Sequence, residues 1–279
     1  MVNRIQKKVI MAMLIPNIAI CFIPNGARGD PYVQKIIKEA ERLTVIENRT
    51  MACNVLYRNL KKANKTAFAQ LKEKLLALSR YFYSDKGYEN YLLGKDLLEK
   101  QKYNDAAEKL AEANDLEKDN VEVLHLLSLA QLGMQKTNLA SATSKRALQV
   151  CPIDSELMKD ELSILSLEEK WSDVVKLSDV LIKEYGDGSA QTFKDRGLAL
   201  YNLDRKPDSK KNMEQALAKD QSFPESYYWL GIIREKEGKE ASKLLTKYLE
   251  LCKNKSTMRY LREPNLCLNT KEAERRVSL

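Results

Sequence analysis

The chain has 279 residues, 44% of them hydrophobic and 31% charged, with a formal net charge of +8. It is rich in Leu, Lys, Glu and Ala and poor in Gly and Pro, a composition that favours helix throughout and suits a folded soluble protein. Eleven Lys/Arg stand against five Asp/Glu in residues 30–84 (+6), twenty-five against thirty-one in 85–252 (−6) and seven against three in 253–279 (+4). An acidic middle between basic ends is not a nucleic-acid footprint, which needs basic residues clustered on one face; most of this charge reads as solvated helix surface.

In chain order, Arg4, Lys7 and Lys8 precede an apolar run from Val9 to Ile23, closed by Pro24-Asn25-Gly26-Ala27-Arg28-Gly29. Charged residues, a short apolar stretch and small residues at a cleavage position are the layout of a secretory signal, so residues 1–29 are expected to be a signal peptide cut after Ala27 or Gly29. The run, broken by Pro16 and Asn17, is short against the roughly 20 residues of a membrane-spanning helix. An uncleaved anchor and a buried helix are the competing readings. Cys21 is a poor lipidation site because Ile20 stands where a small residue is needed. The expected location is periplasmic or secreted, with inner-membrane anchoring as the alternative.

Residues 30–84 predict three helices. The first, Tyr32 to Glu47, places Val33, Ile36, Ile37, Ala40 and Leu43 on one face behind an Asp30-Pro31 start. The second runs from about Thr50 to Lys62 with Val55, Leu56 and Leu60, and the third from Thr66 to Tyr83 with Phe68, Leu71, Leu75, Leu76, Leu78 and Phe82. They form an N-terminal helical cap that does not follow the pattern after it.

Residues 85–252 repeat at about 34 residues, giving about five helix-turn-helix units. Leu93-Gly94, Leu127-Ser128, Glu161-Leu162, Arg196-Gly197 and Leu230-Gly231 occupy equivalent places in the first helices, while Ala106, Ala140, Val174 and Ser209 recur in the second helices where two antiparallel helices press together. The units run Gly87 to Asn120, Val121 to Asp154 (ending in Cys151-Pro152, which stops a helix), Ser155 to Gly188, Ala190 to Phe223 and Pro224 to Cys252. The third keeps Leu165, Trp171, Val174 and Leu181 but lacks the Gly and both Ala, and rests mainly on spacing. Residues 253–279 read as a basic tail, with the start of a capping helix from Lys253 to Tyr260, a break at Arg262-Glu263-Pro264-Asn265 and a short, highly charged and mobile end from Lys271 to Leu279.

This period and its small-residue positions resemble the tetratricopeptide repeat family, and the leading segment makes it an exported, bacterial-type member. The resemblance implies an all-α, right-handed solenoid of antiparallel helix pairs, and a non-enzymatic scaffold that holds a partner protein in a concave groove lined by the first helices. Carrying the family's fifth position across gives Tyr91, His125, Lys159, Lys194 and Tyr228 as a groove column, with Tyr88, Lys95, Leu129, Leu198, Tyr201 and Ile232 beside it. The lysines would meet carboxylates of an extended or acidic segment of another envelope protein, and the tyrosines would supply contact area. Ordinary solvated lysines and packed tyrosines are the plainer reading. The family's chaperone-tail clamp uses paired Lys and Asn, and Lys95 and Ser163 stand where Asn is expected. An intracellular or membrane-anchored adaptor is the second functional class.

Catalysis finds little support. His125 is the sole histidine, so no Ser-His-Asp or Cys-His set has any redundancy. Phosphate-binding glycine loops and H-E-x-x-H are lacking, and Asp187-Gly188 reads as a turn. No cofactor and no metal site is expected, and no C-x-x-C pair is present. After signal removal Cys53, Cys151, Cys252 and Cys267 remain; a Cys252–Cys267 bridge tying back the tail and four unrelated thiols are both open.

Overall fold

A computed structural model describes residues 30–45, 48–253 and 267–278. The segment read as a signal peptide, most of the expected 253–260 helix and the break at 262–265 lie outside them. Among the described residues there are fourteen helices and no strand. They are α1 Pro31–Val45, α2 Arg49–Leu60, α3 Lys65–Ser79, α4 Asp85–Glu99, α5 Tyr103–Leu116, α6 Val121–Gly133, α7 Thr137–Val150, α8 Ser155–Leu167, α9 Trp171–Glu184, α10 Ala190–Asn202, α11 Lys206–Lys219, α12 Pro224–Lys236, α13 Ser242–Lys253 and α14 Thr270–Val277. From α4 to α13 they stack as five antiparallel pairs, an all-α solenoid.

Two alternating local devices build that stack. Four of the five first helices begin at a polar cap, where Ser84 accepts from the Gly87 N–H, Asn120 from Glu122 and Val123, Asp154 from Glu156 and Leu157, and Ser189 from Thr192, while the fifth starts on Pro224. They end in a left-handed residue, Gln101, Gln135, Glu169, Asp204 or Gly238, with φ of 58°, 59°, 55°, 58° and 69°. In each, the next N–H reaches back to close the helix end: Lys102 to Leu97 O, Lys136 to Gln131 O, Lys170 to Leu165 O, Arg205 to Leu200 O and Lys239 to Arg234 O. This is the Schellman arrangement, repeated five times, and it drops the chain straight into the second helix. The third unit, the most divergent in composition, keeps it at Glu169.

Within a pair, contact is set by small residues. A Cβ on Gly94 would lie 2.5 Å from Leu110 Cγ, and one on Gly231 2.8 Å from Leu245 Cδ2. Ala106, Ala140, Val174 and Ser209 are fully buried, and Ser209 Oγ donates to the Gly197 carbonyl at 2.7 Å.

Helices α1 to α3 do not continue the stack ahead of α4. Their apolar faces, including Val33, Ile36, Leu56, Leu71 and Leu75, form one core with Val121 and Leu124 of α6, Ala147 and Val150 of α7, and Cys151, Ile153 and Leu157 beyond it. The bundle thus lies across the edge where second helices end and first helices begin. Arg49 fastens it: fully buried, it donates to the Tyr81 carbonyl at 2.5 Å, to the Glu117 and Lys118 carbonyls, and pairs with Glu117 Oε2 at 3.0 Å. Glu117 also accepts from the Tyr83 and Ser84 N–H groups at 2.7–2.9 Å. These bonds hold Tyr83 and Ser84 out of a helix, which is why α3 ends at Ser79 and not at Tyr83 as its apolar spacing suggests.

At the other end, the part of the tail expected to be mobile forms α14, whose Ala273 and Val277 share a core with Leu245 and Tyr248 of α13 and close the fifth unit. Cys252 and Cys267 are disulfide-bonded. The Cys267 N–H donates to Glu225, the Asn269 N–H to Tyr248 Oη at 3.0 Å, and Arg276 pairs with Glu235 at 2.6 Å.

Candidate functional site

Polar caps place the first turns of α6 and α8 side by side, and the residues just inside those turns enclose a cleft of about 340 Å³. It is lined by Arg80 from the α3–α4 link, Val121, Glu122 and His125 of α6, Glu156, Leu157, Lys159 and Asp160 of α8, and Gln191 of α10. Three successive first helices therefore share one cavity, the geometry of a solenoid groove.

Each cation in it is met by the protein's own carboxylates. Arg80 pairs with Glu122 at 2.7 Å and with the α8 cap Asp154 at 2.5 Å. His125 Nδ1 lies 2.5 Å from Asp160 Oδ2, and Lys159 lies 2.6 Å from Glu156 and 3.7 Å from Asp187. Burial pulls the His125 pKa down, but the charge and hydrogen bond of Asp160, with Glu122 and Asp154 behind it, push it up to about 9. The imidazole is therefore charged at neutral pH, a fixed cation and a poor general base. Gln191 Nε2 donates to Ser163 Oγ at 3.0 Å, joining α10 to α8.

Beside the cleft stands an aromatic shelf. Phe82 lies 5.0 Å from Tyr88 and 5.1 Å from Tyr91, centroid to centroid, and the two tyrosines stack at 6.0 Å. Burial, then Glu122, push the Tyr91 pKa up to about 12, against the opposing charge of Arg80.

Of the groove column drawn from the sequence, Tyr91, His125 and Lys159 come together here, with the neighbouring Tyr88. Lys194 does not join them: it is 4% exposed, with its ammonium 2.5 Å from Asp195 Oδ1 and 6.0 Å from the Phe223 ring. Burial raises the Asp195 pKa even with Lys194 and Ser166 opposing it. Tyr228, 6% exposed, belongs to the last unit's core, 5.2 Å from both Trp229 and Tyr248. Tyr201 packs on Trp229 at 5.2 Å under Lys236, a separate aromatic patch. Lys95 is exposed, Leu198 is half-buried, and Leu129 and Ile232 are buried in the solenoid core. The sequence reading missed Arg80, Glu122, Asp160 and Gln191. Asp160 directly follows Lys159 and could have been found as its alternating-charge neighbour; Arg80 carries no repeat signal at all.

Among the described residues no group of His, Cys, Asp and Glu is placed to hold a metal ion, and no helix is long and apolar enough to cross a membrane. No protein-family model matches the chain, and no curated protein matches it in sequence. Among solved structures it is similar to a MamA fragment running from residue 41 to the end, from Desulfovibrio magneticus RS-1, with 16% identity and a TM-score of 0.53 over 62% of this chain and 98% of that one. A double mutant of the RS-1 MamA gives 17% identity and 0.52 over 61% and 97%. MamA is a tetratricopeptide-like helical repeat protein. At such identity the likeness is one of fold, and it agrees with the solenoid described above.

Proposed function

We propose that the chain is a non-enzymatic scaffold that holds an extended segment of a partner protein along the groove formed by α4, α6, α8 and α10. The observation that carries this reading is the single cleft shared by three first helices with an aromatic shelf at its end. A planar aromatic platform offers low-entropy contact area, and a row of paired charges fixes register without adding much affinity. The acidic-segment expectation rests on Lys159 alone, since Lys194 is committed to Asp195. Lys159 is largely buried and also faces Asp187 at 3.7 Å, but Glu156 is half-exposed, so Glu156 is the carboxylate that one from a partner could replace.

Action outside the cytoplasm, after removal of residues 1–29, is part of the proposal. The Cys252–Cys267 bridge supports it, because such bonds persist in oxidising compartments. The test uses the full chain as bait in envelope extract from its native cell, with Lys159→Glu and Tyr91→Ala beside the unaltered protein. A captured partner lost from both variants, with thermal stability retained, supports the groove; equal capture by all three sinks it. Mass measurement of the native protein checks export, since an intact Met1 excludes cleavage.

A further inference from the structure

The two ends of the solenoid are finished differently. The fifth unit is covered by α14 and tied by a disulfide. Among the described residues nothing covers the first unit's outer face, because the α1–α3 bundle lies on the edge. The repeat register identifies what is left uncovered. Leu92 and Leu93 stand 34 residues before Leu126 and Leu127, and those two pack on the first unit's cluster of Leu98, Ala106 and Leu110. Leu92 and Leu93 thus occupy the seam positions by which a first helix rests on the helix pair before it, yet they are 44% and 50% exposed. The flanking seam positions, where α6 has the buried Val123 and Ala130, are Glu89 and Asp96 in α4. Both carboxylates are more than half exposed, Glu89 paired with Lys86 of the same helix at 3.4 Å and Asp96 with Lys100 at its C-cap at 2.7 Å.

We infer that this open end seats a helix of a partner protein as one more layer of the stack, a helix bearing an apolar pair with a basic residue about a turn to either side. The apolar pair continues the seam that α6 makes on unit one, and the basic flanks answer Glu89 and Asp96 by displacing weak local lysine contacts. The same carboxylates argue against a second copy of this chain, since a two-fold antiparallel α4 contact centred on the leucines sets Glu89 against Asp96. The seam uses residues of α4 other than the Tyr88 and Tyr91 of the groove, so each proposal is tested by its own variants.

The experiment uses the full chain and two synthetic helical peptides, each with a Leu-Leu pair, flanked a turn away by Arg in one and by Glu in the other. Fluorescence anisotropy is expected to show the Arg peptide binding at least about tenfold more tightly. Leu92→Ser with Leu93→Ser should abolish that binding while Lys159→Glu leaves it unchanged, and Glu89→Lys with Asp96→Lys should reverse the peptide preference. Equal binding of both peptides, or binding kept by the serine variant, overturns the inference. So does a concentration-dependent dimer in sedimentation that the serine variant loses, which makes a second copy the occupant.

Discussion

At the scale of single residues, the structure turns sequence features into measurable quantities. The His125 pKa of about 9 lies above its ordinary 6.5, so its ion pair with Asp160 contributes its full stability below about pH 6.5 and loses it as pH rises through 9. Urea midpoints measured from pH 6 to 10 should fall across that window in the natural protein, and His125→Gln should flatten that part of the profile. Burial, then the neighbouring thiol, push Cys53 up to about 12, and burial with Asp154 pushes Cys151 up to about 11. Both should therefore resist iodoacetamide in the folded protein at pH 8 and react once unfolded, as peptide mass mapping will show. Arg49→Met leaves Glu117 buried without its counter-charge and should destabilise by about 3–5 kcal/mol, whereas Arg49→Met with Glu117→Gln should cost much less. The Arg49–Glu117 pair was not legible beforehand, since the two are 68 positions apart and nothing in the periodicity marks either.

At the scale of elements, what the sequence displayed was spacing, and spacing proved a better guide than residue identity. Gly94, Gly197, Gly231 and the second-helix alanines located the helix pairs because backbones that approach closely exclude larger side chains. The left-handed turns were not legible, since four of the five use Gln, Glu or Asp where Gly is the usual signal. That choice leaves strain in the molecule. Glycine at Gln101, Gln135, Glu169 or Asp204 should raise stability by about 0.5–1 kcal/mol each, and Gly238→Val should lower it by about 1 kcal/mol or more, both read from denaturant melts. The disulfide closes a 15-residue separation, so Cys252→Ser with Cys267→Ser should cost about 3 kcal/mol and release α14 first, seen as early loss of amide protection in residues 270–277.

At the scale of the whole molecule, five stacked pairs would ordinarily be a one-dimensional array in which each unit senses only its neighbours. The helical bundle changes that here. Its core is shared with α6, α7 and α8, so a chain lacking residues 30–79 should expose Val121, Leu124, Val150 and Leu157 and aggregate, a result light scattering will show. The sequence revealed three amphipathic helices but not their seat, because apolar faces record that they are covered and not by what. The same limit explains the groove: the column of fifth positions ran the whole array on paper, yet Lys194 and Tyr228 sank into it, since one repeat register cannot tell a floor residue from a wall residue. Units one to three are splinted along their edge and unit five is tied by α14 and the disulfide, whereas unit four has neither. Hydrogen exchange should accordingly be slowest in α6 to α8 and faster in α10 and α11. In the proposed groove, a bound segment would then run from a splinted wall at the His125 cleft to a joint at α10 and α11 that neither the bundle nor the disulfide braces. Partner length, more than partner charge, would set how far it reaches past that joint.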